Sequence, residues 1–251
     1  MRALVTNDDG IGSIGLRTLA QAAVAAGLEV TVAAPDAERS GSSAALSALE
    51  ADGKLLIQEH TLDGLEDVTA LAVQASPALI AFVAAYGAFG QRPGVVLSGI
   101  NHGPNTGQAV LHSGTVGAAF TAASHGIPAL AVSLASATPT HWDTAAAAAS
   151  AALEWFLPQA GEAVVANVNV PDVPHPQLRG LRAARLASFG AVQASIGEPG
   201  GGFIPVTFSE PDTEPGPGTD LALVRQGWAS VTVLRGLREI DPPGPDHAAG
   251  H

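Results

Sequence analysis

The sequence predicts an α/β fold: a three-layer, Rossmann-like, mostly parallel sheet, followed by a C-terminal region of β-hairpins or extended chain. Three observations carry this. Short, continuously apolar β-type runs alternate with alanine-rich helical stretches through the first two-thirds of the chain, the pattern of parallel strands covered on both faces. That alternation stops after Pro171, where Pro, Gly and isolated strand candidates take over. The chain has 251 residues, 47% apolar and only 14% charged, enough to bury a full core and too apolar for global disorder.

The elements follow in order. Ala3–Thr6 reads as a buried strand and Leu16–Ala26 as a helix. Val30–Ala34 is the next strand, stopped by Pro35, and Val68–Val73 a third. A helix is expected from Pro77 to Phe89, a strand over Val95–Ser98, and a helix over Thr115–His125 ended by Gly126-Ile-Pro128. Then come a strand at Leu130–Leu134, a helix at Asp143–Leu157 and a strand at Ala163–Val170. This divides the chain into an α/β domain over 1–174, an extension of hairpin character over 175–240, and a disordered tail over 241–251. Pro-Gly clusters at Glu198–Gly202 and Glu214–Gly218 punctuate the extension.

Charge and composition exclude several functions. Eleven basic against 23 acidic side chains give a formal charge of −12. A nucleic-acid duplex as partner is excluded, because phosphate neutralisation needs clustered Lys and Arg. Lys54 is the only lysine and stands in no GxxxxGK loop, which removes the P-loop and makes a lysine Schiff base improbable. The absence of cysteine removes disulfides, thiolate nucleophiles and Cys-based metal sites. Acids in Met1–Asp9 stand where a signal peptide needs an apolar run, and no stretch approaches the ~20 apolar residues of a membrane span. A cytoplasmic protein with no membrane partner is expected.

Open α/β sheets place ligands at the carboxyl ends of their strands, and four such ends are polar. The first strand runs into Asn7-Asp8-Asp9-Gly10. Adjacent carboxylates repel unless a cation or donors compensate, and hard divalent cations take oxygen ligands. The plainer alternative is that Asp8 or Asp9 caps the following helix while Asn7 turns the chain. Pro35-Asp-Ala-Glu-Arg-Ser40-Gly41-Ser42-Ser43 follows the second strand, and Ser98-Gly-Ile-Asn101-His102-Gly-Pro-Asn105 follows the Val95 strand. His112-Ser113-Gly114-Thr115 opens a helix, whose free amides and dipole favour an anion. Each segment alone is an ordinary turn or cap; together they suit a metal with a phosphate.

Gly10-Ile-Gly12-Ser-Ile-Gly15 also matches the GxGxxG dinucleotide fingerprint, with Asp36 near the end of the second strand. The charges disfavour that reading, since Asp8 and Asp9 would lie against a pyrophosphate with no cation between. The glycines equally serve a tight strand-to-helix turn. The eight histidines form no HExxH, and no GxSxG elbow exists.

The same segments resemble the SurE family of 5′/3′-nucleotidases, the stationary-phase survival proteins. The matching pieces are Leu4–Ile11, Ala34–Gly41, Val96–Asn101, Gly103–Asn105, Ser113–Ala118, Gly126–Leu134, Asn167–Pro171, Gly218–Asp220 and Val231–Leu234, in family order. The resemblance implies a Rossmann-like domain with a C-terminal extension used in oligomer formation, as a homodimer or homotetramer. It implies hydrolysis of nucleoside 5′/3′-monophosphates with one divalent metal ion per subunit, Mg²⁺ or Mn²⁺. The family's metal ligands fall on Asp8, Asp9, Ser40 and Asn101, with Asp8, Asp9 and Asn101 catalytic. Its phosphate-facing positions fall on Gly41, Ser42, Asn105, Ser113, Gly114 and Thr115. The alternatives are a non-catalytic relative that binds a nucleotide or a protein partner, and a phosphatase for a non-nucleotide phosphate ester. The chain departs from the family pattern at Ala75–Ala81, which lacks the usual Asp and Cys, and at Ala44, Gln108 and Thr121.

Overall fold

A computed structural model describes residues 1–48, 50–51, 54–160, 164–189, 193–196, 198, 205–209 and 214–236. The elements begin with β1 (Arg2–Thr6), α1 (Ile14–Ala25), β2 (Glu29–Pro35), β3 (Glu50–Ala51), β4 (Lys54–Leu55), β5 (Ile57–His60), β6 (Thr69–Val73) and α2 (Pro77–Ala85). They continue with β7 (Val95–His102), a 3₁₀ turn (Gly107–His112), α3 (Gly114–Ser124), β8 (Ala129–Ala135), α4 (Trp142–Phe156) and β9 (Val164–Pro171). A second 3₁₀ turn (His175–Gln177) leads to β10 (Leu181–Ala183), β11 (Gln193–Ile196), β12 (Val206–Ser209), α5 (Asp220–Arg225) and β13 (Ala229–Arg235).

The main sheet has nine strands in the order β10-β13-β9-β8-β7-β1-β2-β6-β5. The six from β6 to β9 are all parallel. Numbered by their own sequence order they run 3-2-1-4-5-6, the doubly wound arrangement, and the order reverses between β1 and β7. Antiparallel strands flank this core: β5 on β6 and β13 on β9. The fold class expected from sequence is the fold observed. Within the extension, β11 and β12 form an antiparallel ribbon, while β10 and β13 add to the main sheet. The expected tail over 241–251 lies outside the described residues.

Strand alternation splits the core between two faces. On β1, Ala3 and Val5 join Leu16, Leu19, Leu153 and Phe156 beneath α1 and α4. Leu4 points the other way, to Ile80, Val116 and Ala119 beneath α2 and α3. Three helix starts are fixed by serine caps: Ser13 accepts from Leu16 N, Ser76 from Leu79 N, and Ser113 from Val116 N. Pro77 at the head of α2 suits a position where no amide partner is lost.

One strand is longer than its apolar run. The unbroken apolar run ends at Leu97, yet β7 continues to His102 across a register shift between Ser98 and Asn101. Gly99 allows it: φ there is +133°, and a Cβ would collide with the carbonyl of Val132. The extra residues carry Asn101 and His102 out to the edge where β1 ends.

Candidate active site at the strand-order switch

Asp8 and Asp9 leave β1 where the strand order reverses. The alternative that one of them caps α1 does not hold, because that cap is Ser13. Asn7 is the turn residue, its Nδ2 donating to Gly10 O at 3.1 Å and to Ser13 Oγ at 2.7 Å. The two acids are thus free of the local job that would explain them. Asp8 is only 4% exposed. It accepts a hydrogen bond from Thr115 Oγ1 at 2.5 Å, and its carbonyl accepts from Arg39 N at 2.7 Å. Asp9 Oδ2 accepts from the His102 main-chain amide at 3.3 Å.

Burial sets the electrostatics. It pushes the Asp8 carboxyl above its ordinary value, against the Thr115 hydrogen bonds that favour the ionised form. Asp9 is pushed up to about 6, first by burial and then by the neighbouring Asp8 carboxylate, with His102 pulling the other way. Glu38 adds a smaller push on both. Both carboxyls are thus costly to ionise unless positive charge or a proton compensates them.

The other expected residues arrive from three loops. Gly114 opens α3 against Asp8 so closely that a Cβ there would stand 2.7 Å from Asp8 Oδ2 and 2.8 Å from Ser42 Oγ. The end of β1, the loop after β2 and the start of α3 therefore meet within one side chain's width. The buried Ser42 hydroxyl has no hydrogen-bond partner among the described residues. Ser40 is exposed and donates to Glu38 Oε1 at 2.7 Å, and Gly41 is exposed beside it. Asn101 Nδ2 donates to Gly103 O at 2.8 Å, which leaves Oδ1 as a free oxygen donor. Ser113 spends its hydroxyl as the cap of α3.

Asn105 is held in a buried polar network. Its Nδ2 donates to Ser133 Oγ at 2.8 Å, its amide donates to Asn169 Oδ1 at 2.7 Å, and its carbonyl accepts from Asn167 and Asn169. Two residues on, Gly107 N donates to the fully buried Asp220 at 2.8 Å. Sequence reasoning misses this framework, and Glu38 with it. A signal existed: Asn167 and Asn169 alternate on one face of an otherwise apolar buried strand, and buried amides demand partners. The segment Ala75–Ala81 that departs from the family pattern has a structural role. Ser76 caps α2 and ties it to the serine-rich loop through Ala45 O and Ser47 N. Thr121 bonds back to Gly117 O within α3.

Two of the three fingerprint glycines, Gly10 and Gly15, are accounted for without a dinucleotide. A Cβ on Gly15 would run into the carbonyl of Ile100, so this residue seats α1 on β7. Gly10 has φ +96° in the turn.

The donor set fits a hard cation. Among the described residues no group of three or more His, Asp or Glu side chains is arranged to hold a metal ion by itself. Asp8 and Asp9 stand together after β1 with the orphaned Ser42 hydroxyl near Asp8, while Ser40 lies on the loop after β2 and Asn101 at the end of β7. Two carboxylates with neutral oxygens nearby are the kind of donor that hard divalent cations take.

A doubly wound α/β domain with paired carboxylates and a helix start at its switch point defines the class: a sheet-edge ligand site whose groups suit a cation and an anion. The sequence model of the family described as "Survival protein SurE" matches residues 3–191. The chain belongs to the SurE family. It is 38% identical over 239 residues to the 5′-nucleotidase SurE of Methylococcus capsulatus, covering 94% of this chain and 91% of that one. It is 36% identical over 250 residues to the 5′/3′-nucleotidase SurE of Shigella dysenteriae, covering 94% and 90%. The crystal structure of the SurE protein from Aquifex aeolicus superposes with a TM-score of 0.79 at 27% identity, covering 94% and 93%.

Proposed function

We propose that this chain is a divalent-metal-dependent phosphomonoesterase that hydrolyses nucleoside 5′- and 3′-monophosphates, with one Mg²⁺ or Mn²⁺ per subunit. The observation that carries the reading is the meeting of Asp8, Ser42 and Gly114 at the strand-order switch. It places costly carboxylates against a helix start that favours an anion, in a chain whose relatives are named nucleotidases.

In this reading Asp8, Asp9, Ser40 and Asn101 hold the cation. When bound, the cation supplies Lewis-acid polarisation of the phosphoryl group and lowers the pKa of an attacking water. The chain's own groups do the rest. Thr115 Oγ1 and the His102 amide fix the two carboxylates in orientation. The amides at Gly114 and Thr115, with Gly41 and the Ser42 hydroxyl, receive the phosphate oxygens, and Ser113 holds that turn in shape by capping it. Asn105 bounds the phosphate side, its main chain set by Asn167 and Asn169.

The finer expectations belong to the same proposal: action in the cytoplasm and assembly as a homodimer or homotetramer through the region 175–240. No helix among the described residues is long and apolar enough to cross a membrane. The test is phosphate release from adenosine 5′-monophosphate. Activity is expected to disappear after exhaustive chelation and to return with Mg²⁺ or Mn²⁺. Full turnover in chelator would remove the metal from the mechanism.

A further inference from the structure

The cavity at this site is larger than a phosphate requires. It encloses about 560 Å³, within the range of pockets that hold a whole small molecule. Its lining combines the acidic Asp9, Asp36 and Glu38 with Ile11, Gly12, His102 and Ala137. A Cβ on Gly12 would meet nothing within 4 Å, so the lining is open at that residue.

His102 is held as a flat surface rather than as a hydrogen-bonding group. Its ring lies against Trp142, with centroids 5.3 Å apart and planes at 53°. Trp142 is itself wedged: its Cζ3 lies 3.1 Å from where a Cβ on Gly15 would stand, and its ring packs on the α1/α4 core. The main chain of His102 is pinned to Asp9. Among the described residues no hydrogen bond engages its ring nitrogens, and the side chain is exposed. An exposed imidazole resting on a packed indole, with its own backbone tied to a candidate metal ligand, has less freedom to lose on binding than an unsupported side chain.

We infer that His102, supported by Trp142, is the stacking shelf for the nucleobase of a nucleoside monophosphate whose phosphate lies at Asp8, Asp9 and Gly114. The inference rests on the phosphomonoesterase reading and names the part of the substrate that reading leaves open. Base stacking on an aromatic side chain tolerates base identity, because every base offers a π-face. The shelf therefore discriminates between esters with and without a base, and weakly among bases.

The experiment compares kcat/KM for adenosine 5′-monophosphate and ribose 5-phosphate in the parent, His102→Ala and His102→Tyr, all with Mg²⁺. In His102→Ala the preference for the nucleotide should fall about tenfold (about 1.4 kcal/mol), mostly through KM, and tyrosine should restore it. An equal loss on both esters, or an unchanged preference, overturns the shelf. If the parent hydrolyses neither ester, it is the phosphomonoesterase reading that fails. The shelf is then judged by calorimetric titration with adenosine 5′-monophosphate and with inorganic phosphate. Weakened binding of the nucleotide alone in His102→Ala supports it, and parallel behaviour of the two ligands overturns it.

Discussion

At the amino-terminal end of the parallel strands, Arg2 faces Glu29 across β1 and β2 at 3.4 Å, and the small cleft beside them, about 160 Å³, is lined by the same pair with Thr31, Phe89 and Pro93. Charges there are exposed and matched. At the carboxyl end of the same two strands the matching stops. Asp8, Asp9 and Glu38 crowd together, burial raises the cost of ionising both aspartates, and Ser42 carries a buried hydroxyl with no partner among the described residues. One pair of strands thus has one end arranged for stability and another whose site works against it. Polar groups left costly at one end, where the other end shows the fold can satisfy them, mark where a ligand completes the structure.

Filling the close approach at the working end should have the largest effect. Gly114→Ala puts a methyl within 3 Å of Asp8 and Ser42, and overpacking of this kind costs about 1–3 kcal/mol. Both the melting temperature and phosphate release should drop, the latter by more than tenfold. A variant that keeps full turnover would show that Asp8 and the α3 start act independently.

A smaller effect should appear with pH. Asp9 titrates near 6 in the fold against an ordinary 3.8, so between those values the folded state holds a proton that the unfolded chain has released. That contribution to stability is present below about pH 3.8 and is lost as pH rises through about 6. In chelator-treated protein, thermal melts of parent and Asp9→Asn should diverge across this window, with the parent losing stability relative to the variant. Apparent Mg²⁺ affinity of the parent should rise over the same interval as the proton is displaced. Parallel melting curves at every pH would mean that Asp9 is not strained.

The least effect belongs to the opposite end. Arg2→Gln removes one partner of an exposed pair, and such pairs contribute about 0–1 kcal/mol. Differential scanning calorimetry should find a change within that range and an unaltered response to Mg²⁺. A loss of several kcal/mol, or a blunted metal response, would erase the contrast between the two ends.

Much of this contrast is readable in the sequence, and the reasons differ by element. The six parallel strands and α1 to α4 announce themselves through buried apolar runs and alanine-rich helices, so their placement needs only local pattern. The acids at positions 8 and 9 and the hydroxyl-rich loops are legible because strand ends are where such sheets place ligands. What the pattern does not reveal is set by long-range pairing. β5 is exposed along its length and carries no apolar run; only its antiparallel pairing with β6 makes it a strand. β13 returns from a Pro-Gly-rich region to lie against β9, a partner about 65 residues earlier in register. The reach of β7 past Ser98 depends on a glycine kink against Val132, which hydropathy cannot register. The Asn105 framework escapes notice because asparagines in loops and strands look unremarkable until their partners are known.

The central claim is that Asp8 is present for a cation. Asp8→Asn preserves shape and the acceptor for Thr115 while deleting one charge and one hard ligand. Melting temperatures of parent and variant with chelator and with saturating Mg²⁺, read beside phosphate release, test this most directly. With chelator the variant should be as stable as the parent or slightly more so, since a repulsion is gone. Mg²⁺ should raise the parent's melting temperature, by about 2.7 kcal/mol of stabilisation at a hundredfold excess over Kd, and leave the variant nearly unmoved, with turnover lower by orders of magnitude. A variant that melts earlier in chelator yet still responds to Mg²⁺ and hydrolyses the ester would contradict the assignment and return Asp8 to a purely structural role.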